Sequence, residues 1–125
     1  MKALAGKRVL VVEDEAVIAF ALEDVLANLG CEVVGPAVRL MQALELAETA
    51  TLDAAILDVN INQGRSYSVA DELNKRGVPY VFATGYGAEG IDQRYASTLV
   101  LTKPYKQEDV HAALVGLLGL SAGQR

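Results

Sequence analysis

Short apolar runs rich in β-branched residues alternate along this chain with longer segments whose apolar positions recur at helical spacing. Arg8–Val12 is the first such run, and its continuous apolar character suits a strand buried on both faces of a parallel sheet. It stops at Glu13-Asp14-Glu15. Val17, Ile18, Ala21, Leu22, Val25 and Leu29 then recur at helical spacing, and Gly30 follows as a helix stop. The unit repeats: Cys31–Gly35 reads as a strand, and Leu40 to Ala50 as a helix with Leu40, Ala43, Leu44 and Ala47 on one face. Ala54–Leu57 is a third strand halted at Asp58. Val69, Ala70 and Leu73 place a helix that ends before Gly77. Pro79–Ala83 is a fourth strand with its proline at the entry, where a missing donor is tolerated. Gly85 to Tyr95 is glycine-broken and weakly helical, Thr98–Leu101 is a fifth strand, and Gln107 to Leu118 a last helix.

Five strands alternating with helical segments predict an α/β fold with a parallel sheet covered on both faces. Right-handed crossovers leave the doubly wound five-stranded sheet, strand order 2-1-3-4-5, as the expected topology. At 125 residues the chain has the usual size of one domain. Residues 1–125 are therefore read as a single domain with its core over about 7–118, and the tail 121–125 as a frayed end. No output domain is expected in this chain.

Composition narrows the function more than the fold. Hydrophobic residues make up 52% and charged residues 22%, which excludes disorder. The apolar runs are strand-sized, short of the roughly 20 residues that span a bilayer, and the start lacks the features of a secretion signal. A cytoplasmic location without membrane contact is the expectation. The one cysteine, Cys31, is expected to be a buried small hydrophobe. A net charge of −5 argues against direct nucleic-acid binding, which needs a basic stripe.

The chemistry collects at the carboxyl ends of the strands. Strand one runs into Glu13-Asp14, strand three into Asp58, strand four into Thr84 and strand five into Lys103-Pro104. Ligands of open α/β sheets bind outside those ends, near the point where the winding reverses, and strands one and three flank it. A lone Asp ending a strand is ordinarily a turn residue or cap. Four strand ends carrying complementary chemistry are not. Three converging carboxylates repel unless a cation joins them, and Mg2+ favours oxygen ligands of this kind. Asp58 could then take a phosphoryl group as an aspartyl-phosphate, with Lys103 and Thr84 contacting its oxygens.

These residues resemble the response-regulator receiver family of two-component signalling. Val-Leu-Val-Val-Glu-Asp-Glu resembles its first strand and acidic pair, and Ile-Leu-Asp-Val-Asn its phosphoacceptor strand. Phe-Ala-Thr-Gly resembles the end of its fourth strand, and Leu-Thr-Lys-Pro-Tyr its Lys-Pro element. The four motifs occur in order and the resemblance covers nearly the whole chain. It implies the flavodoxin-like receiver fold, phosphorylation of Asp58, and a Mg2+ site. Asp14 would be a direct ligand, Glu13 one through water, and the Asn60 carbonyl a further ligand, beside Asp58. It also implies that Thr84 and Lys103 bind the phosphoryl oxygens and that the Lys103–Pro104 bond is cis. The donor would be a sensor histidine kinase or a histidine phosphotransfer protein. The chain would act as a signalling phosphoacceptor, limited to its own phosphorylation and dephosphorylation. A downstream protein would read a face built from the fourth helix, fifth strand and fifth helix, through which the chain could also pair with itself. Most receivers carry Tyr or Phe two residues before the lysine, where this chain has Leu101. The Phe-Ala-Thr-Gly run resembles a receiver subfamily lacking that aromatic. Tyr86, or Tyr105 beyond the proline, is expected to move in its place.

Three other readings compete. Gly85-Tyr86-Gly87-Ala88-Glu89-Gly90 fits the dinucleotide pattern G-x-G-x-x-G, but it follows the fourth strand and the next strand ends in Thr102-Lys103 without an acid. An aspartate-nucleophile phosphatase would want an acid two residues beyond Asp58, where Asn60 stands. A pseudo-receiver serving only as a binding module fits poorly with the intact set of acids, threonine and lysine.

Overall fold

The computed structural model describes residues 4–61, 64–85, 100–103 and 105–119. Its elements in chain order are β1 (Arg8–Val12), α1 (Ala16–Asn28), β2 (Glu32–Ala37), α2 (Leu40–Thr49), β3 (Ala54–Asp58), β4 (Asn60–Ile61), β5 (Gly64–Arg65), α3 (Tyr67–Arg76), β6 (Tyr80–Thr84), β7 (Val100–Thr102) and α4 (Gln107–Leu117). Five strands form one sheet in the order β2-β1-β3-β6-β7, every neighbouring pair parallel. Counting only the strands of that sheet, this is the expected 2-1-3-4-5 winding. The two-residue strands β4 and β5 form a separate antiparallel ribbon directly after Asp58, which the sequence pattern did not predict.

The continuous apolar runs are explained by cover on both faces, with successive side chains pointing to opposite sides. Val9 and Val11 of β1, Ala54 and Ile56 of β3, and Val81 and Ala83 of β6 join Leu22 and Leu26 of α1 and Val110 and Leu114 of α4. The alternate residues Leu10, Val12, Ala55, Leu57 and Phe82 pack with Ala43 and Ala47 of α2 and Val69, Ala70 and Leu73 of α3. Each of these side chains is buried. Cys31 is a buried free thiol, its pKa raised by burial. No described helix is long and apolar enough to cross a membrane.

Helix α1 corrects one expectation. It buries Ala19, Leu22 and Leu26, whereas Val17 is 81% and Phe20 62% exposed. Nearly every position in its first two turns is apolar, so spacing alone selects no face there; tertiary packing, which buries Ala19, Leu22 and Leu26, does. Strand β2 runs to Ala37, two residues beyond the expected end, and β7 is described from Val100. Thr98, Leu99 and the weakly helical stretch from Tyr86 onward lie outside the described residues.

Gly77 and Gly35 show two different conformational demands. Gly77 closes α3 with φ +71, while the Val78 N–H donates to the Leu73 carbonyl at 2.9 Å, a left-handed helix stop. Gly35 has φ +99 at an irregularity in the β1–β2 pairing, where Leu10 faces Val34 but Val12 faces Ala37. A Cβ at Gly35 would stand 2.7 Å from the Ala37 nitrogen and 3.0 Å from the Val11 carbonyl oxygen, whereas one at Gly77 would meet open space. Gly77→Ala is expected to cost about 1 kcal/mol from left-handed strain alone. Gly35→Ala adds a backbone clash and should cost about 3 kcal/mol. Urea midpoints of the two variants measure the difference.

Candidate functional site

Strand register aligns the polar residues. Val12 pairs with Leu57, Asp58 with Ala83, and Thr84 with Thr102, so the next residues emerge together at the carboxyl edge. Three main-chain bonds prolong that alignment past the strands. Glu13 N–H donates to the Ala37 carbonyl at 3.0 Å, Val59 N–H to Ala83 at 3.1 Å, and Lys103 N–H to Thr84 at 3.0 Å. The edge opens into a cleft of about 350 Å³ lined by Asp14, Glu15, Asp58, Asn60, Thr84, Gly85 and Lys103. Glu15 and Gly85 are wall residues that the sequence reading did not assign to the site, although Glu15 extends the acidic run.

The charges interlock beneath this cleft. Lys103 Nζ lies 2.8 Å from Glu13 Oε1 and 3.3 Å from Asp58 Oδ2. The other Asp58 oxygen, Oδ1, accepts the Asn60 N–H at 3.3 Å, and Glu13 Oε2 accepts the Glu15 N–H at 3.1 Å. Glu13, Asp58 and Thr84 are all buried, Glu13 to 1% exposure. Removal from water makes the ionised form of Asp58 costly, and the charge of Glu13 adds to the effect. Lys103 only partly offsets both, and the Asp58 carboxyl is pushed up to about 7. For Lys103, burial pulls the ammonium down, but the two carboxylates outweigh it and raise the pKa.

Glu13, Asp14 and Asp58 each offer a carboxylate oxygen, and these oxygens lie within 4.8 Å of one another. An all-oxygen, carboxylate-rich donor set of that size fits a hard divalent cation such as Mg2+. Of the residues expected to couple the site to the surface, Leu101 is buried in the cluster beneath α1 and α4. Tyr105 packs against that same cluster. Burial, and then the charges of Glu13 and Asp58, hold its hydroxyl well above the ordinary phenol range. Tyr86 and Pro104 lie outside the described residues, and so does the Lys103–Pro104 bond.

A family model described as the response regulator receiver domain matches residues 9–115. The chain belongs to the response regulator receiver family. Among receiver-bearing relatives, the transcriptional regulatory protein PdtaR of Mycobacterium tuberculosis is 33% identical over 116 residues, 90% of this chain and 57% of PdtaR. The chain thus spans somewhat more than half the length of that curated relative. SdrG from Sphingomonas melonis Fr1 is 43% identical in sequence. Its solution structure superposes with a TM-score of 0.81, covering 94% of this chain and 99% of SdrG. SdrG has also been solved in a BeF3-activated conformation, with a TM-score of 0.78 over 91% of this chain and 98% of that one. The receiver domain of the sensor histidine kinase PA1611 from Pseudomonas aeruginosa is 27% identical, with a TM-score of 0.75 over 92% of this chain and 99% of that one. That receiver was crystallised with a magnesium ion coordinated in its active-site cleft.

Receiver geometry gives Asp58 a measurable linkage to stability. Its folded pKa of about 7 lies above the ordinary 3.8, so the fold favours the protonated form. That contribution is full below about pH 4 and is lost as pH rises through about 7. Asp58→Asn, which stays neutral, should therefore gain stability over the wild type as pH rises from 5 to 8 in the presence of a chelator. Denaturant midpoints at the two pH values check this, and added Mg2+ should narrow the difference at pH 8.

Proposed function

We propose that this receiver accepts a phosphoryl group on Asp58 from a phosphohistidine of a sensor histidine kinase or histidine phosphotransfer protein, with Mg2+, and thereby changes a surface read by a downstream protein. The observation that carries this reading is the meeting of Asp58, Glu13, Asp14 and Lys103 at one cleft with Thr84 in its wall.

An Asp58 carboxylate oxygen attacks the phosphorus and the P–N bond to the donor imidazole breaks. With the other ring nitrogen of the phosphohistidine protonated, the bond's electron pair returns to the nitrogen that held phosphorus, leaving a neutral imidazole on the donor and an acyl phosphate on Asp58. Asp14, Asp58 and the Asn60 carbonyl would hold the cation, with Glu13 behind them. The bound ion would supply positive charge to the transferring phosphoryl oxygens. Lys103 leaves its contact with Asp58 for a phosphoryl oxygen, and Glu13 keeps the ammonium charged and aimed into the cleft. The Thr84 hydroxyl donates to another oxygen, and hydrolysis by water resets the site. A phosphatase with repeated turnover is disfavoured because the residue two beyond Asp58 is an amide and cannot protonate a leaving group.

An apolar groove of about 400 Å³ runs beside Lys103 between Val17, Ile18 and Ala21 of α1 and Tyr105. The groove shares Lys103 with the cleft, and Val17 in its lining is 81% exposed. It suits an apolar helix face of the donor, with the phosphohistidine at its edge.

Incubation with Mg2+ and acetyl phosphate should add the mass of one phosphoryl group to the intact chain, and Asp58→Asn should abolish the gain. A wild type that gains nothing would leave a pure binding module as the better reading. Tyr105, which lines this groove with Lys103 and α1, is proposed as the aromatic that follows Thr84 when the site is filled. Tyr105→Leu should still become phosphorylated, while the amide shifts that beryllofluoride produces in β7 and α4 shrink. Undiminished shifts in this variant would exclude Tyr105 from the coupling.

A further inference from the structure

The ribbon after the acceptor strand places an arginine beside the site. Asn60 of β4 is paired directly with Arg65 of β5, and Ile61 with Gly64. Directly opposed residues of an antiparallel pair carry their side chains on the same face, with Cβ atoms about 5 Å apart. Ile61 points into the core at 1% exposure, so Asn60 and Arg65 occupy the opposite face of the ribbon. Asn60 lines the cleft, and its N–H holds the Asp58 oxygen that faces away from Lys103. Arg65 thus stands next to the cleft wall on the Asp58 side opposite the lysine. Its side chain is exposed, and Nη1 lies 3.5 Å from the Tyr67 hydroxyl, at the limit of a hydrogen bond. Tyr67 is itself anchored edge-on against Phe82, with centroids 5.6 Å apart.

Charge balance says what such a residue would serve. Once Asp58 carries a phosphoryl group of charge about −2, the carboxylates of Glu13 and Asp14 remain beside it. One ammonium and one divalent cation leave that set short by one positive charge. A guanidinium matches phosphoryl oxygens with two parallel donors, which an ammonium cannot. Arg65 brings such a guanidinium to the ribbon face that it shares with Asn60.

We propose that Arg65 is a second cationic contact for the phosphoryl group on Asp58, closing over it from the ribbon side while Lys103 holds the other side. The inference rests on the phosphoacceptor reading and deepens it by naming a positioning and retention residue for that group. Its role is specific to the filled site, since the pairing of β4 with β5 is made by main chain.

Beryllofluoride, a stand-in for the phosphoryl group, is titrated into the full chain in excess Mg2+, with the Thr84 amide resonance as readout. Wild type, Arg65→Ala, Arg65→Gln and Arg65→Lys are compared, together with their thermal midpoints and Mg2+ affinities without beryllofluoride. The expected result is binding weakened about fivefold to tenfold in the Ala and Gln variants, with partial recovery in Lys. Midpoints and Mg2+ affinities should stay unchanged. Wild-type binding matched by Arg65→Ala would overturn the role of Arg65 alone. Absence of binding by the wild type would overturn both this role and the phosphoacceptor reading.

Discussion

Everything at the working end of this receiver depends on one electrostatic constraint: three carboxylates gathered at the edge of a parallel sheet and held against a single ammonium. Glu13 is almost wholly buried and Asp58 nearly so, and Lys103 reaches both within 3.3 Å. Such a cluster is costly without compensation, because burial and mutual repulsion both oppose ionisation. The resting site is therefore charged but under-neutralised, as the raised pKa of Asp58 reflects. A divalent cation or a shared proton relieves it.

The sheet supplies the rigidity that this arrangement requires. Glu13 and Asp58 stand at the ends of strands buried on both faces, Lys103 follows the edge strand β7, and cross-strand bonds continue one residue past the strands into the site. Main-chain alignment sets where the charges stand. In the proposed phosphoryl transfer, the parts that move are side chains alone, the Lys103 ammonium and the Thr84 hydroxyl. The same edge presents the apolar groove beside α1, so the cleft and the proposed donor surface share Lys103 as a common border.

The ribbon beyond Asp58 adds a second element to the wall. Its pairing orients Asn60 and Arg65 together while Ile61 anchors it in the core. Opposite it, the position usually held by an aromatic is filled by buried Leu101, and Tyr105 lies over the cluster to which Leu101 belongs. An aliphatic side chain packed among β-branched neighbours has no polar tip to exchange between core and solvent. Tyr105, close enough for the charges of Glu13 and Asp58 to act on its hydroxyl, does.

Much of this was legible in the chain itself. Buried parallel strands read as unbroken apolar runs, and the polar residue that ends each run marks the sheet's carboxyl edge, so Asp58, Thr84 and Lys103 could be named from their positions. The helix stop at Gly77 was equally readable, because only glycine enters that backbone region without strain. The face of α1 was not: in a segment where nearly every residue is apolar, periodicity carries no phase, and only tertiary packing buried Ala19 and left Val17 exposed. Nor was the β4–β5 ribbon, whose strands are too short to leave a pattern and whose register exists only as main-chain pairing. The sequence by itself determined which chemical groups arrive at the edge, since strand endings are local. Tertiary structure alone decided which of them touch, because burial, register and repulsion arise only when distant strands are brought side by side.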